Sequence, residues 1–244
     1  MGRVLAAVYG VVCYFGFFAA FLYLIAFVGD FAVPTTLEKG PAASLMTAVL
    51  IDVGLLVAFA VQHSLMARPA FKRLWTKVVP EPIERSTYVL FTTAVLILIF
   101  WQWRPIPAPI WTVTNTLAVT TIQGLFWLGW GVVLLSTFLL NHFELFGLRQ
   151  VWLNFKQQAP AESTFRTPFL YRLVRHPIYL GFLIALWATP VMSLGHLLFA
   201  AGLTLYIVIG VQFEERDLID HFGETYQAYR RKVSMLIPWP PKAS

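Results

Sequence analysis

Between Pro177 and Phe213 the chain carries no Asp, Glu, Lys or Arg. As one straight helix, rising about 1.5 Å per residue, this run would be over about 50 Å long. The hydrocarbon core of a bilayer is only about 30 Å thick. The run therefore has to double back. Thr189-Pro190 is the natural hinge, because proline removes a backbone donor and restricts its predecessor. The expectation is a helical hairpin whose two ends lie on one side.

The rest of the chain is of the same character. Of 244 residues, 58% are hydrophobic and 12% charged, and the mean hydropathy is +0.69. A soluble domain is about half apolar and a quarter charged. Apolar runs over Val4–Val28, Ala42–Met66, Thr87–Trp103 and Ile122–Leu140 approach or exceed the length of about 20 residues that crosses a bilayer. Pro34, Gly40 and Pro41 break the chain after the first run, Arg68-Pro69 after the second and Arg104-Pro105-Ile106-Pro107 after the third. The expected fold is an all-α, polytopic integral membrane protein. It has about four spanning helices plus the hairpin, five or six membrane segments in all. One membrane domain is expected, with residues 1–140 forming the substrate side and residues 141–244 a C-terminal module.

The first run is too long for the apolar core of a cleavable signal. The single cysteine, Cys13, lies inside that run. An internal disulfide and a cysteine metal cluster are excluded, and Cys13 reads as a packing residue. Of the 18 Lys and Arg residues, all but Lys39 and Arg104 fall in the N-terminus, 67–86, 141–176 and 214–244. That asymmetry predicts both termini on the cytoplasmic side; the expected location is a bacterial cytoplasmic membrane. The asymmetry also accounts for the net charge of +6, together with anionic lipid head groups; nucleic acid is not needed as a partner. After the hairpin, Leu218, Phe222, Tyr226, Tyr229 and Val233 recur at helical spacing with charges on the other faces. An amphipathic helix on the cytoplasmic surface is expected, interrupted at Gly223.

Polar residues cluster at the two ends of the hairpin. Tyr-Arg-Leu-Val-Arg-His-Pro-Ile-Tyr precedes and opens it (171–179), and Phe-Glu-Glu-Arg-Asp-Leu closes it (213–218). Pro177 suits a first helical turn, where its missing N–H costs nothing. On their own, Arg175, His176 and Tyr179 could equally be snorkelling and aromatic-belt residues. The fold-back changes this, because it brings Glu214 and Glu215 near Arg175. Adjacent carboxylates at a membrane edge are costly unless paired or functional. An arginine, a histidine, tyrosines and two acids can hold a zwitterionic ligand, with the arginine taking a carboxylate and the acids an ammonium or ribose hydroxyls.

Arg-His-Pro-Ile-Tyr-Leu-Gly, then FEERDLIDHFGETYQAYRRKV, then Ile-Pro-Trp, resembles the C-terminal module of the isoprenylcysteine carboxyl methyltransferase family, which includes thiol and phospholipid methyltransferases and the NnrU-type proteins. The likeness covers about Thr167–Pro238. It implies that the module binds S-adenosylmethionine from the cytoplasmic side. The implied contacts are Tyr171, Leu173, Val174, Arg175, His176, Tyr179, Glu214 and Glu215. Phe169-Leu170-Tyr171 stands where the family often has Gly-Pro-Tyr. The segments QHSLMARPAFK (62–72), ERSTYVL (84–90), FWQWRP (100–105) and NHFELFGLRQVWL (141–153) resemble the bacterial methanethiol S-methyltransferase group. That likeness implies a small volatile thiol as substrate and in-line methyl transfer.

A free alkyl thiol with a pKa at or above about 8.5 is at most a few per cent ionised at neutral pH. A base or a nearby cation is therefore expected. The candidates are His63, Asp52 and His142, with Glu144 beside the last, and Arg85, Ser86 and Tyr88 at the opening of the third helix. Each has an ordinary alternative as a packed, capping or interfacial residue. Asp52, deep in the second helix, is a candidate because intramembrane acids are functional by default. His196 reads as structural, and His221 has no assigned role. No HExxH or Cys/His spacing suggests a metal.

Overall fold

In the computed structural model, residues 2–159 and 164–238 are described. The spanning-type helices are α1 (Arg3–Gly29), α2 (Leu45–Ala67), α4 (Glu81–Gln102), α5 (Thr116–Leu140) and α9 (Leu194–Phe222), each long and apolar enough to cross a membrane. Shorter helices lie between and after them: α3 (Pro69–Trp75), α6 (His142–Leu145), α7 (Leu148–Lys156), α8 (Pro177–Trp187) and α10 (Glu224–Lys232). Extended stretches are brief, β1 (Pro109–Thr112) and β2 (Val191–Ser193). The spanning helices leave many large apolar side chains exposed, Val4, Phe15, Leu50 and Leu117 among them. Lipid covers such faces at no hydrophobic cost. The chain is thus an all-α integral membrane protein.

Local chemistry sets the helix ends. Ser44 and Asn115 cap α2 and α5 by accepting the N–H of Thr47 and Ala118, which satisfies donors that a helix leaves free. The third spanning helix begins six residues earlier than the apolar run suggests. Pro80 precedes it, and Pro82 is tolerated in the first turn. Arg85, Ser86 and Tyr88 therefore sit inside α4, not at its opening. His142 and Glu144 belong to α6, after a break at Asn141.

The structure divides into two compact units. The first comprises Met1–Ile110, His142–Ala161 and Ser193–Phe199. Here α1 packs along α4 and α7, and α2 along α4. Gly147 sits at φ 88, and a Cβ there would lie 2.6 Å from Ser86 Oγ, so glycine is required at this contact.

The second unit comprises Trp111–Asn141, Glu162–Met192 and Ala200–Ser244. It contains α5, α8, most of α9 and α10. The backbones of α5 and α8 meet at Gly129 and Gly181: a Cβ on Gly181 would come within 2.7 Å of Gly129 O. This is the small-residue contact that lets membrane helices approach closely. The hairpin is present; Thr189-Pro190 follows the end of its first helix, and the chain re-enters helix only at Leu194. Its first arm is half helix and half extended, because α8 ends at Trp187 and β2 follows. A stretch at about 3.3 Å per residue covers the length that eleven helical residues cannot. Within this unit Pro190 O accepts the N–H of Val113, and Thr189 O accepts Trp111 Nε1, so the non-helical backbone is partly satisfied by protein. The two arms are tied by Trp187 Nε1 donating to Thr204 Oγ1 (3.0 Å) and by Tyr179, Phe182 and Leu183 packing on Ile207, Val211 and Leu236.

The amphipathic C-terminal segment is interrupted at Gly223, as expected. α9 continues through Glu214 and Glu215 to Phe222, Gly223 adopts φ 56, ψ −133, and α10 starts afresh at Glu224. The glycine makes a bend within one amphipathic pattern.

Candidate functional site

The second unit brings both ends of the hairpin together. Arg175 Nε donates to Glu215 Oε1 at 2.6 Å, and Arg230 Nε lies 3.0 Å from Glu215 Oε2. His176 Nε2 is 3.1 Å from Glu215 Oε1, while its Nδ1 is 3.8 Å from Glu214 Oε2. Tyr179 OH donates to Glu214 Oε2 at 2.8 Å. The two adjacent acids have different surroundings. Glu215 is 3% exposed and has arginines and a histidine around it; the Glu214 side chain is 41% exposed. A buried carboxylate persists only when paired in this way. Glu214 is the acid open to a ligand.

The remaining expected contacts fall on the same loop. The 3-10 turn Phe169–Arg172 leads into it, with Tyr171 buried. Val174 is buried and forms a parallel bridge with Ser234, and Leu173 is exposed. The backbone N–H groups of Arg175 and His176 donate to Ser234 O and Met235 O. Tyr229 OH donates to Tyr171 O, and Arg175 Nη1 donates to the carbonyls of Arg230 and Val233. All eight residues expected at the cofactor site thus lie in one unit, on the loop before α8, the first turn of α8 and the facing turn of α9.

The sequence reading places Tyr226 and Tyr229 on the apolar face of the surface helix and Arg230 on another face, with no site role, yet Tyr229 and Arg230 complete the network. Read as i, i+3 and i+4, positions 226, 229 and 230 share one side of the helix, which the division into apolar and charged faces hid. Tyr226 is buried against Phe165. Burial raises the Tyr171 and Tyr226 hydroxyls above their ordinary range. It pushes Tyr229 up to about 12, with Arg175 opposing and Glu215 adding. All three stay neutral donors at physiological pH.

In the first unit, His63 and Tyr88 form a second polar cluster. Tyr88 OH lies 2.9 Å from His63 Nε2, and Thr92 Oγ1 is 3.3 Å from its Nδ1. The His63 ring stacks on Phe59 at 5.2 Å. The guanidinium of Arg85 sits 4.9 Å over the Tyr88 ring, and its Nε donates to Leu145 O at 2.7 Å. A cation near a phenol and an imidazole is suited to stabilising a thiolate. His142 is buried, bonded to Tyr14 OH at 2.8 Å, and burial lowers its pKa. Phe146, 4.9 Å from the His142 ring, packs against the buried cluster of Met66, Tyr88 and Val89.

Asp52 stands apart from this cluster. It is fully buried near the other end of α2, eleven residues and about 16 Å along the helix from His63. Its Oδ1 accepts the N–H of Arg104 at 2.9 Å, just past the end of α4. Glu144 pairs with Arg149 on the surface, Cys13 and His196 are buried, and His221 packs edge-on against Phe222. Among the described residues, no group of three or more His, Cys, Asp or Glu is placed to hold a metal ion.

Fold and site define a polytopic α-helical membrane protein with a polar, charge-balanced C-terminal module closing a hairpin. The chain belongs to the NnrU family, whose model, described as NnrU protein, matches residues 51–238. It is 54% identical to a Methanethiol S-methyltransferase of Mycobacterium tuberculosis over 240 residues, 98% of each chain. It is 50% identical to Methanethiol S-methyltransferase 2 of Bradyrhizobium diazoefficiens, over 97% of this chain and 91% of that one. A third relative, from Crocosphaera subtropica and also named Methanethiol S-methyltransferase, is 49% identical over 100% of this chain and 96% of its own. No solved structure matches the chain.

Proposed function

We propose that this protein is a membrane methyltransferase that uses S-adenosylmethionine to methylate methanethiol, giving dimethyl sulfide. The observation that carries this reading is the identity of about half, over essentially the whole chain, to relatives of that name. The geometry of the C-terminal unit supports it, because Glu214, anchored by Tyr179, offers an accessible carboxylate to a cationic ligand. Bound there, S-adenosylmethionine supplies a methyl group on a positively charged sulfur.

The chain's own residues have three tasks. The loop Tyr171–Tyr179 and Glu214 bind and orient the donor. His63 takes the thiol proton, with Tyr88 holding the imidazole and Arg85 stabilising the thiolate. His142 supports the aromatic wall around this cluster; Asp52 serves structure by capping the chain after α4. The thiolate sulfur forms the new bond to the methyl carbon as the bond to the donor sulfur breaks, leaving S-adenosylhomocysteine. Alignment alone contributes up to about 7–11 kcal/mol of such a barrier in ideal cases. Methanethiol has almost no remote groups to supply binding energy, so a high KM is expected. The charge asymmetry supports a cytoplasmic placement of both termini and of the donor site.

The test is headspace chromatography of cells producing the protein and fed methanethiol. Dimethyl sulfide well above that of cells lacking the protein is expected. No dimethyl sulfide, with methyl transfer instead to a prenylated cysteine or a lipid amine in membranes, would replace the thiol by a lipid substrate. No transfer to any of them would favour a non-enzymatic accessory role.

A further inference from the structure

Arg175 is the obvious partner for a ligand carboxylate, but three of its five N–H groups are already engaged within the protein. Nε is bound to Glu215 and Nη1 to two carbonyls of the C-terminal segment, Arg230 O and Val233 O. Guanidinium has five N–H groups in a fixed fork, so these bonds fix its plane. The side chain is only 9% exposed and its charge is balanced by Glu215. The same segment is held by Arg175 N to Ser234 O (2.8 Å), by His176 N to Met235 O (3.2 Å) and by Tyr229 OH to Tyr171 O. Leu236, at its far end, is buried against Ile207 and Val211. Residues 229–236 thus form a strap across the Tyr171–His176 loop, with Arg175 at its crossing point.

We propose that Arg175 is a positioning residue that fastens this strap through Glu215 and the Arg230 and Val233 carbonyls, and that the ligand's ammonium is taken by Glu214. The proposal rests on the S-adenosylmethionine reading. It assigns the twin acids different work. Glu215 is the internal counter-charge of the strap. Glu214, held by Tyr179, is the recognition group.

Three ligands separate this from a direct contact. S-adenosylhomocysteine has both ammonium and carboxylate. Its decarboxylated form keeps the ammonium alone. 5′-Methylthioadenosine lacks both. Each is titrated calorimetrically into the detergent-solubilised full chain. Arg175→Ala is expected to weaken all three by a similar factor, about tenfold or more, since it loosens the loop rather than one contact. Loss confined to S-adenosylhomocysteine would make Arg175 a carboxylate ligand and overturn the clamp, as would unchanged affinity for all three. Should Arg175→Ala fail to fold, Arg175→Lys decides: it keeps the charge but not the fork, and the same uniform loss is expected.

Glu214→Gln is expected to weaken S-adenosylhomocysteine and the decarboxylated ligand by about tenfold and to leave 5′-methylthioadenosine and the melting temperature unchanged. An equal loss for all three, or none, would overturn its role. Failure of wild type to bind any of the three would instead sink the functional reading itself.

Discussion

In the first unit the proposed proton transfer rests on His63, Tyr88 and Arg85. Tyr88 OH touches His63 and lies under the Arg85 cation. Positioned acid–base groups contribute about 10²–10⁴-fold. Tyr88→Phe and His63→Ala are therefore expected to lower kcat for dimethyl sulfide formation by about a hundredfold or more. The affinity for S-adenosylhomocysteine should be unchanged, because neither residue is among the proposed donor contacts. A loss of donor affinity equal to the loss of rate would show that they serve the fold. At this scale the sequence was informative where charge is expensive. Arg175, His176 and the twin acids stood out against an apolar background and met as expected. Their division of labour was not legible, since which of two neighbouring glutamates faces inward depends on the helical phase of α9. Asp52 was conspicuous for the same reason as Arg175, but its partner is a backbone N–H fifty-two residues away, which leaves no mark in side-chain composition.

Among the elements, the hairpin followed from arithmetic on length and from Thr189-Pro190. The half-extended form of its first arm did not, because helix and extended chain are equally apolar there. The glycine contact between α5 and α8 tests the packing. Gly181→Ala puts a Cβ 2.7 Å from Gly129 O, and overpacking of this kind costs about 1–3 kcal/mol. A clear fall in melting temperature in detergent is expected. Gly131→Ala, where a Cβ meets nothing within 4 Å, should leave the melting temperature unchanged or raise it. Equal behaviour of the two variants would contradict the helix contact. The strap makes a prediction about pH. Tyr229 has its pKa pushed up to about 12 in the fold, above the ordinary value of about 10. Its contribution to stability is thus fully present below about pH 10 and lost as pH rises through about 12. Tyr229→Phe should remove part of that alkaline loss, read from melting temperature against pH. An unchanged alkaline profile would show that this hydroxyl is not buried in the strap.

For the whole molecule, the placement of Lys and Arg predicts which loops face the cytoplasm. In a Cys13→Ala background, Lys39→Cys should react with a membrane-impermeant maleimide on intact cells. Arg73→Cys should react only after lysis. The reverse pattern would invert the topology. The number of spans was readable from apolar length, and short helices such as α3, α6 and α7 were not, since each is below the length at which periodicity speaks.

The central claim is methyl transfer from S-adenosylmethionine to a small thiol by this chain itself. It is tested most directly with purified protein, methanethiol and S-adenosylmethionine carrying a deuterated methyl group. The account predicts dimethyl sulfide with one fully deuterated methyl, formed in equal amount to S-adenosylhomocysteine and abolished by heat inactivation. Unlabelled product, or S-adenosylmethionine left unconsumed while methanethiol is present, would contradict it.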